Sequence, residues 1–214
     1  WNTPQTVTVT GADDNLLDGT QTSTFTISVV DGSSVDQFDS VADQTVSGTT
    51  VDNDSAGFTV AEISGTSVSE SGTTDTFTVV LGAQPTNNVV IAITSSDTGE
   101  ATVNSPLTFT SANWNTPQTV TVTGVDDNII DGTITSTLTI SVVDAVSDDD
   151  FDGVANQTVS ATTTDNDVAG FTIVQSAGST SVAETGTTDT FTVVLNAQPA
   201  SNVVLSVTSG DTGE

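Results

Sequence analysis

The ionisable side chains of this 214-residue sequence are carboxylates and nothing else. Asp and Glu number 28, while Lys, Arg, His, Cys, Met and Tyr are all absent. The acids cluster as Asp-Asp-Asn-x-x-Asp and Asp-Asn-Asp runs at fixed places in an internal repeat. Trp114 to Gly132, WNTPQTVTVTGVDDNIIDG, restates Trp1 to Gly19, WNTPQTVTVTGADDNLLDG, at a spacing of 113 residues with changes only at Ala12, Leu16 and Leu17. Carboxylates gathered by turns with no cation beside them are hard oxygen ligands. Calcium takes six to eight such oxygens, several of them carboxylates. The expectation is therefore a Ca2+ site, repeated once per domain.

The same inventory argues against an enzyme. No side chain is present to act as an imidazole base, a thiolate or amine nucleophile, or a cationic oxyanion stabiliser. A carboxylate pair of the glycosidase kind is chemically available. Carboxylates that recur in every copy suit a module, not a unique active centre.

A formal charge of -28 with nothing to offset it makes the folded chain repel itself, most strongly at low salt. Bound counter-ions or high ionic strength must compensate. An acidic surface adapted to salt would scatter its acids, whereas these are grouped. Nucleic acid and anionic membranes are excluded as partners, because no basic side chain can neutralise a phosphate. No apolar run reaches the length of a membrane span, so membrane insertion is not expected. Lack of cysteine removes disulfides as staples, and millimolar calcium outside cells would supply another kind. The sequence opens inside a repeat, as a window cut from a longer chain does.

The elements that must position the acids are strands. Residues 1–54 read as the second half of a repeat: a strand at Pro4–Thr10, the acidic turn, a strand at Thr22–Val30, a loop anchored by Phe38, and a last strand at Thr45–Thr50. Residues 55–167 make one complete copy. Within it Phe58 and Val60, then Phe77, Val79 and Leu81, then Val89, Ile91 and Ile93, then Val120 and Val122 alternate with Thr, the period-two pattern of half-buried strands. Residues 168–214 repeat the first half of that copy, the offset rising to 114 after an insertion near Ser179, so that Glu214 answers to Glu100. The two halves jointly lack the equivalent of Ala101–Asn113, expected to carry one short strand. Turn signals recur about every ten residues and no helical period is present. The fold class is all-β: tandem immunoglobulin-like antiparallel β-sandwiches of about seven strands each.

In the complete copy Glu70 ends the second strand, Asp97 ends the fourth, Asp126, Asp127 and Asp131 form the turn after the sixth, and Asp165 and Asp167 close the last. A Greek key can gather loops from non-adjacent strands at one end. A second acidic loop, Ser147–Gly153, reads either as a further ion site or as a solvated loop pinned by Phe151. Trp114 reads as a core or domain-junction residue. Asn53-Asp54-Ser55 and Asn156-Gln157-Thr158 match the glycosylation pattern, as sequences often do by chance.

As a set, Val68-Ser69-Glu70-Ser71-Gly72, Asp97-Thr98-Gly99-Glu100-Ala101, Leu107-Thr108-Phe109, Thr119-Val120-Thr121-Val122, Asp126-Asp127-Asn128-Ile129-Ile130-Asp131 and Asp165-Asn166-Asp167 resemble the Calx-beta family. These are tandem modules of sodium/calcium exchangers and of long bacterial surface proteins. The resemblance spans the whole sequence. It implies that Glu70, Asp97, Asp126, Asp127, Asp131, Asp165 and Asp167 are calcium ligands, joined by the Ile129 carbonyl. The matching positions elsewhere are Asp13, Asp14, Asp18, Asp52, Asp54, Glu184 and Asp211. It further implies terminal acids at the junction with the next domain, where an ion stiffens the joint. The leading expectation is a calcium-rigidified repeat of a long extracellular bacterial adhesin, surface or matrix protein, secreted or held at the cell surface. Its partners are neighbouring repeats of the same protein. The alternatives are a self-assembling filament subunit, in which residues 168–214 of one chain and 1–54 of the next close a sandwich, and a calcium-sensor module.

Overall fold

The structure, a computed structural model, describes residues 2–213; Trp1 and Glu214 lie outside it. Thr alternating with Val, Ile, Leu and Phe suits a pleated surface that is apolar on one side. The described residues accordingly form strands joined by loops and short 3-10 turns, with no α-helix.

The first two strands, β1 (Gln21–Ile27) and β2 (Gln44–Thr50), make an isolated antiparallel hairpin. Nine strands follow in the complete copy: β3 (Phe58–Glu62), β4 (Thr66–Ser69), β5 (Thr74–Leu81), β6 (Val89–Ser95), β7 (Ala101–Val103), β8 (Leu107–Phe109), β9 (Gln118–Gly124), β10 (Ile134–Val142) and β11 (Gln157–Thr164). A second hairpin, β12 (Phe171–Gln175) with β13 (Phe191–Leu195), ends the chain. Nine strands replace the expected seven in part because Ala101–Asn113 carries two short strands instead of one.

The complete copy is a sandwich of two sheets, ordered β4-β11-β10-β6-β8 and β3-β5-β9-β7. All neighbours are antiparallel except β4 and β11, which run parallel. Its core is the inward set of both sheets: Phe77, Val79, Val89, Ile91, Phe109, Val120, Val122, Leu138 and Ile140 are each 2% exposed or less. Burying a side chain of this size stabilises the fold by about 1.5–3 kcal/mol. Trp114 is half-buried against this core, in line with its expected place, and its carbonyl accepts the Leu81 N–H (3.1 Å).

The acidic loop Ser147–Gly153 is a latch. Phe151 is fully buried, and Asp148, 4% exposed, reaches across to the turn after β5. Its carboxylate accepts the Thr86 hydroxyl (2.8 Å), the Asn87 N–H (2.7 Å) and the Asp150 N–H (3.2 Å). This internal satisfaction favours the pinned loop over a further ion site.

Outside the complete copy, the expected strand at Pro4–Thr10 is absent, and Phe38, the expected anchor of its loop, is exposed. Both depend on sheets that the hairpins alone do not build.

Candidate metal centre

Strand register brings the acids to one end. Because β4 runs parallel to β11, with Ser69 opposite Thr164, Glu70 leaves its strand beside Asp165-Asn166-Asp167. β10 starts antiparallel to that same end, Ile134 facing Thr163, so Asp131 sits just before it. β7 starts where β9 stops, Ala101 facing Gly124, which sets Glu100 next to the loop of Asp126 and Asp127. The approach is close. A Cβ on Gly124 would lie 2.1 Å from the Ser69 carbonyl oxygen, so only glycine lets β9 pass β4 at the edge of the site.

Two overlapping groups of carboxylates result, Glu70 with Glu100 and Asp131, and Glu70 with Asp165 and Asp167. In each group one oxygen per residue lies within 4.8 Å of the others. Glu70 is 1% exposed and Glu100 6% exposed. Asp165 is the fixed member: it accepts the Gly132 N–H (2.9 Å) and the Asp167 N–H (2.6 Å), and these bonds hold its carboxyl below the usual range. Gly132 reaches it from a left-handed turn (φ 78°) that only glycine adopts freely.

Glu70, Glu100 and Asp167 sit among like charges with fewer donors than Asp165 has. Burial and the charges of Asp131, Glu70, Asp127 and Asp97 push Glu100 up. Burial and the charges of Asp165, Asp126, Asp127 and Asp131 do the same to Asp167. For Glu70 the Asn166 N–H (3.0 Å) works the other way, but burial and Asp165, Asp127 and Asp131 outweigh it. Among the described residues no hydrogen-bond partner meets the buried Glu100 Oε2 or Asp167 Oδ2. An unsatisfied buried carboxylate oxygen is costly, and a cation in either group would offset that cost. An oxygen-only donor set drawn from loops fits a hard divalent ion with adaptable geometry, Ca2+ before any transition metal. Glu70 belongs to both groups.

The remaining expected ligands fall around this centre or away from it. Asp126 accepts the Asn166 side-chain amide (2.8 Å), and Asp127 accepts the Ile129 N–H (2.6 Å), which shapes the loop. Asp97 is exposed and bonds the Gly99 N–H (2.9 Å), outside both groups. Glu100, which is not among the ligands expected from the sequence, stands in the first group. Its signal is an acid immediately before the inward Ala101, at the start of a strand of only three residues.

In the first half the loop geometry recurs. Asp52 accepts the N–H groups of Gly19 (2.8 Å), Asp18 (3.1 Å) and Asp54 (2.7 Å), and Asn53 reaches Asp13 (3.1 Å). Asp14 caps the Leu16 N–H (2.9 Å). No glutamate joins these acids, since the strands that bring Glu70 and Glu100 have no counterpart there. Glu184 and Asp211 are exposed, and among the described residues neither joins such a group.

The same loop touches the following repeat. Leu17 N–H donates to the Gln84 carbonyl (3.0 Å), Gln84 N–H donates to the Asn15 carbonyl (2.7 Å), and Leu17 packs against the core of the complete copy. One repeat later Ile129 pairs with Gln198, whose N–H donates to the Asn128 carbonyl (2.6 Å). Ile129 thus lies at a repeat junction.

No protein-family model and no curated protein matches the chain. Among solved structures, SSP-19, an MSP-domain protein like family member of Caenorhabditis elegans, is similar at 18% identity and a TM-score of 0.31, over 47% of this chain and 92% of that one. Domains 1–6 of the surface layer protein SbsC are similar at 20% identity and a TM-score of 0.36, over 72% of this chain and 23% of that one. A chaperone–tip adhesin complex of CFA/I fimbriae biogenesis is similar at 10% identity and a TM-score of 0.34, over 66% and 67%. Likenesses this distant carry no functional argument; the sheets themselves establish the antiparallel β-sandwich.

Proposed function

We propose that the chain is a calcium-stiffened structural repeat of a long extracellular protein, an adhesin stalk, a surface-layer component or a matrix filament. The observation that carries the reading is the pair of buried, partnerless carboxylate oxygens on Glu100 and Asp167, in an acid cluster at the end where one repeat meets the next. The loop that contributes Asp126, Asp127 and Asp131 is also the loop whose backbone pairs with the following repeat. An ion that freezes this loop for its carboxylates therefore freezes the joint. Repeats that touch only their neighbours build rods, and fixed joints keep rods straight.

Extracellular modules bind calcium at about 0.1–1 mM. At ten times that constant each ion stabilises the folded chain by about 1.4 kcal/mol. The rod would soften where calcium is scarce.

Small-angle scattering and thermal melting, each with calcium and with a chelator, test this. Wild type is expected to gain maximum dimension and melting temperature in calcium. Glu100→Gln is expected to lose most of the gain while melting no lower than wild type in chelator, because it deletes an uncompensated buried charge. Unchanged length and melting on chelation would reject the reading.

A further inference from the structure

We propose that the parallel pair β4–β11 is the element that carries tension through the complete copy, and that an ion held by Glu70, Asp165 and Asp167 locks it. Tension enters and leaves at fixed places. β5 begins at the acid end, where Thr74 faces Thr123, and finishes at the far end, where Leu81 faces Phe58. Phe58 opens β3, so the chain enters at the far end, close to the Gln84 turn on which the preceding loop docks. It leaves after Thr164, at the acid end.

Both strands of the pair point toward the acid end: Thr66 faces Ala161 at their start and Ser69 faces Thr164 at their finish. A pull on the two neighbouring repeats draws β4 back toward the far end and β11 forward. The strands are made to slide along each other, and their cross-links are strained together instead of opening one by one. β3 stands ahead of β4 in this path; once it peels from β5, the turn at 63–65 passes the pull to β4.

The pair is built to resist. β4 is the edge strand of its sheet and hangs on β11 for its ladder. Beyond the ladder, the Thr162 hydroxyl donates to the Thr66 carbonyl (3.3 Å) and the Glu70 N–H to the Thr164 carbonyl (3.1 Å). The Asn166 N–H donates to the Glu70 carboxylate (3.0 Å). Thr66 and Val68 are buried, which keeps water from the inner side of the pair.

The acid group lies across the same two strands. Glu70 continues β4 while Asp165 and Asp167 continue β11, and one oxygen from each lies within 4.8 Å of the others. Bare, these carboxylates repel one another where the strands part. A calcium ion among them would tie the end of β4 to the end of β11, so that sliding must also break metal–oxygen bonds. This lock rests on the calcium reading above. Forced unfolding reports the unfolding rate, which is the quantity such a lock slows.

Single-molecule pulling at constant force, beside calorimetric titration of the same chain, tests this. The sequence has no cysteine, so one appended at each end of the 214-residue chain fixes the pulling points. Unfolding of residues 55–167 is recognised by release of roughly 350–400 Å of chain. Its rate is expected to fall about tenfold in calcium relative to chelator, and Glu70→Gln is expected to erase that difference. Ser71→Cys, in the exposed turn after β4, moves the first attachment point to the acid end, so that the pair is peeled instead of slid. Unfolding in chelator at the same force is then expected to be severalfold faster. Equal rates for the two attachment points would overturn the load-bearing role of β4–β11. Equal rates in calcium and chelator, while calorimetry records uptake that Glu70→Gln abolishes, would overturn the lock and spare the calcium reading. A lack of uptake would reject that reading and the lock together, and the two attachment points would then decide the pair alone.

Discussion

Gln5–Gly11 and Gln118–Gly124 are the same seven residues, Gln-Thr-Val-Thr-Val-Thr-Gly, and they take different structures. The second is β9, held between β5 and β7 with Val120 and Val122 fully buried. The first is not a strand, and Val7 is 84% exposed. Propensity and alternation are identical, so neither decides. What differs is the presence of neighbouring strands to take the backbone hydrogen bonds and of a second sheet to cover the apolar face. A strand is a property of a pair.

The contrast can be pushed hardest by burying a charge at one site and exposing it at the other. Val122→Asp, in the core, is expected to cost more than about 4 kcal/mol and unfold the complete copy. Val9→Asp at the matching position is expected to change stability by less than about 0.5 kcal/mol. Urea unfolding followed by tryptophan fluorescence reads the difference through Trp114, and equal effects would contradict the comparison.

A methyl group gives the next largest effect. Gly124→Ala forces a Cβ onto the Ser69 backbone, whereas at Gly11 the nearest atom is the Thr50 methyl at 3.7 Å. The first change is expected to cost about 3 kcal/mol and the second nothing measurable. Melting temperatures of the two variants check this. A harmless Gly124→Ala would mean that β9 does not pass β4 as closely as described.

Asp148 is matched by Val35 in the first half, where no latch forms. Asp148→Val leaves the Thr86 hydroxyl and the Asn87 N–H without an acceptor, at a cost of about 2 kcal/mol. Burial pushes the Asp148 carboxyl up, but the bonds from Asn87, Thr86 and Asp150 outweigh it and hold it below the usual range. A depressed folded-state value means the contribution is fully present above the unfolded value, near 3.9, and is lost as pH falls through the folded one. The gap between wild type and variant should therefore be constant around neutrality and shrink only in acid below about pH 4. A gap that shrank between pH 7 and 5 would rule this account out.

The sandwich was readable from the sequence because inward Val, Ile, Leu and Phe alternate with Thr over long stretches such as Phe77–Leu81 and Val89–Ile93. One short strand escapes: β7, at three residues, leaves no room for a period, whereas β8 is the one short strand expected within Ala101–Asn113. Partnerless strands were over-read, as at Pro4–Thr10, since a single sequence shows alternation and not occupancy of the neighbouring edge. At the acid end, Glu70, Asp131, Asp165 and Asp167 were identifiable by type and recurrence. Glu100 was not, because its place follows from the register of β7 on β9 and not from any run of acids. Asp97 shows the converse: an acid in the expected motif whose side chain closes its own turn.

The central claim is that a divalent cation satisfies the carboxylates around Glu70, and calorimetric titration of calcium into the metal-stripped chain tests it most directly. The account predicts saturable uptake with a dissociation constant of about 0.1–1 mM, a rise in unfolding midpoint of several degrees, and loss of that uptake at the complete copy in Glu70→Gln. Absence of binding heat, with the same midpoint in millimolar calcium and in chelator, would contradict it.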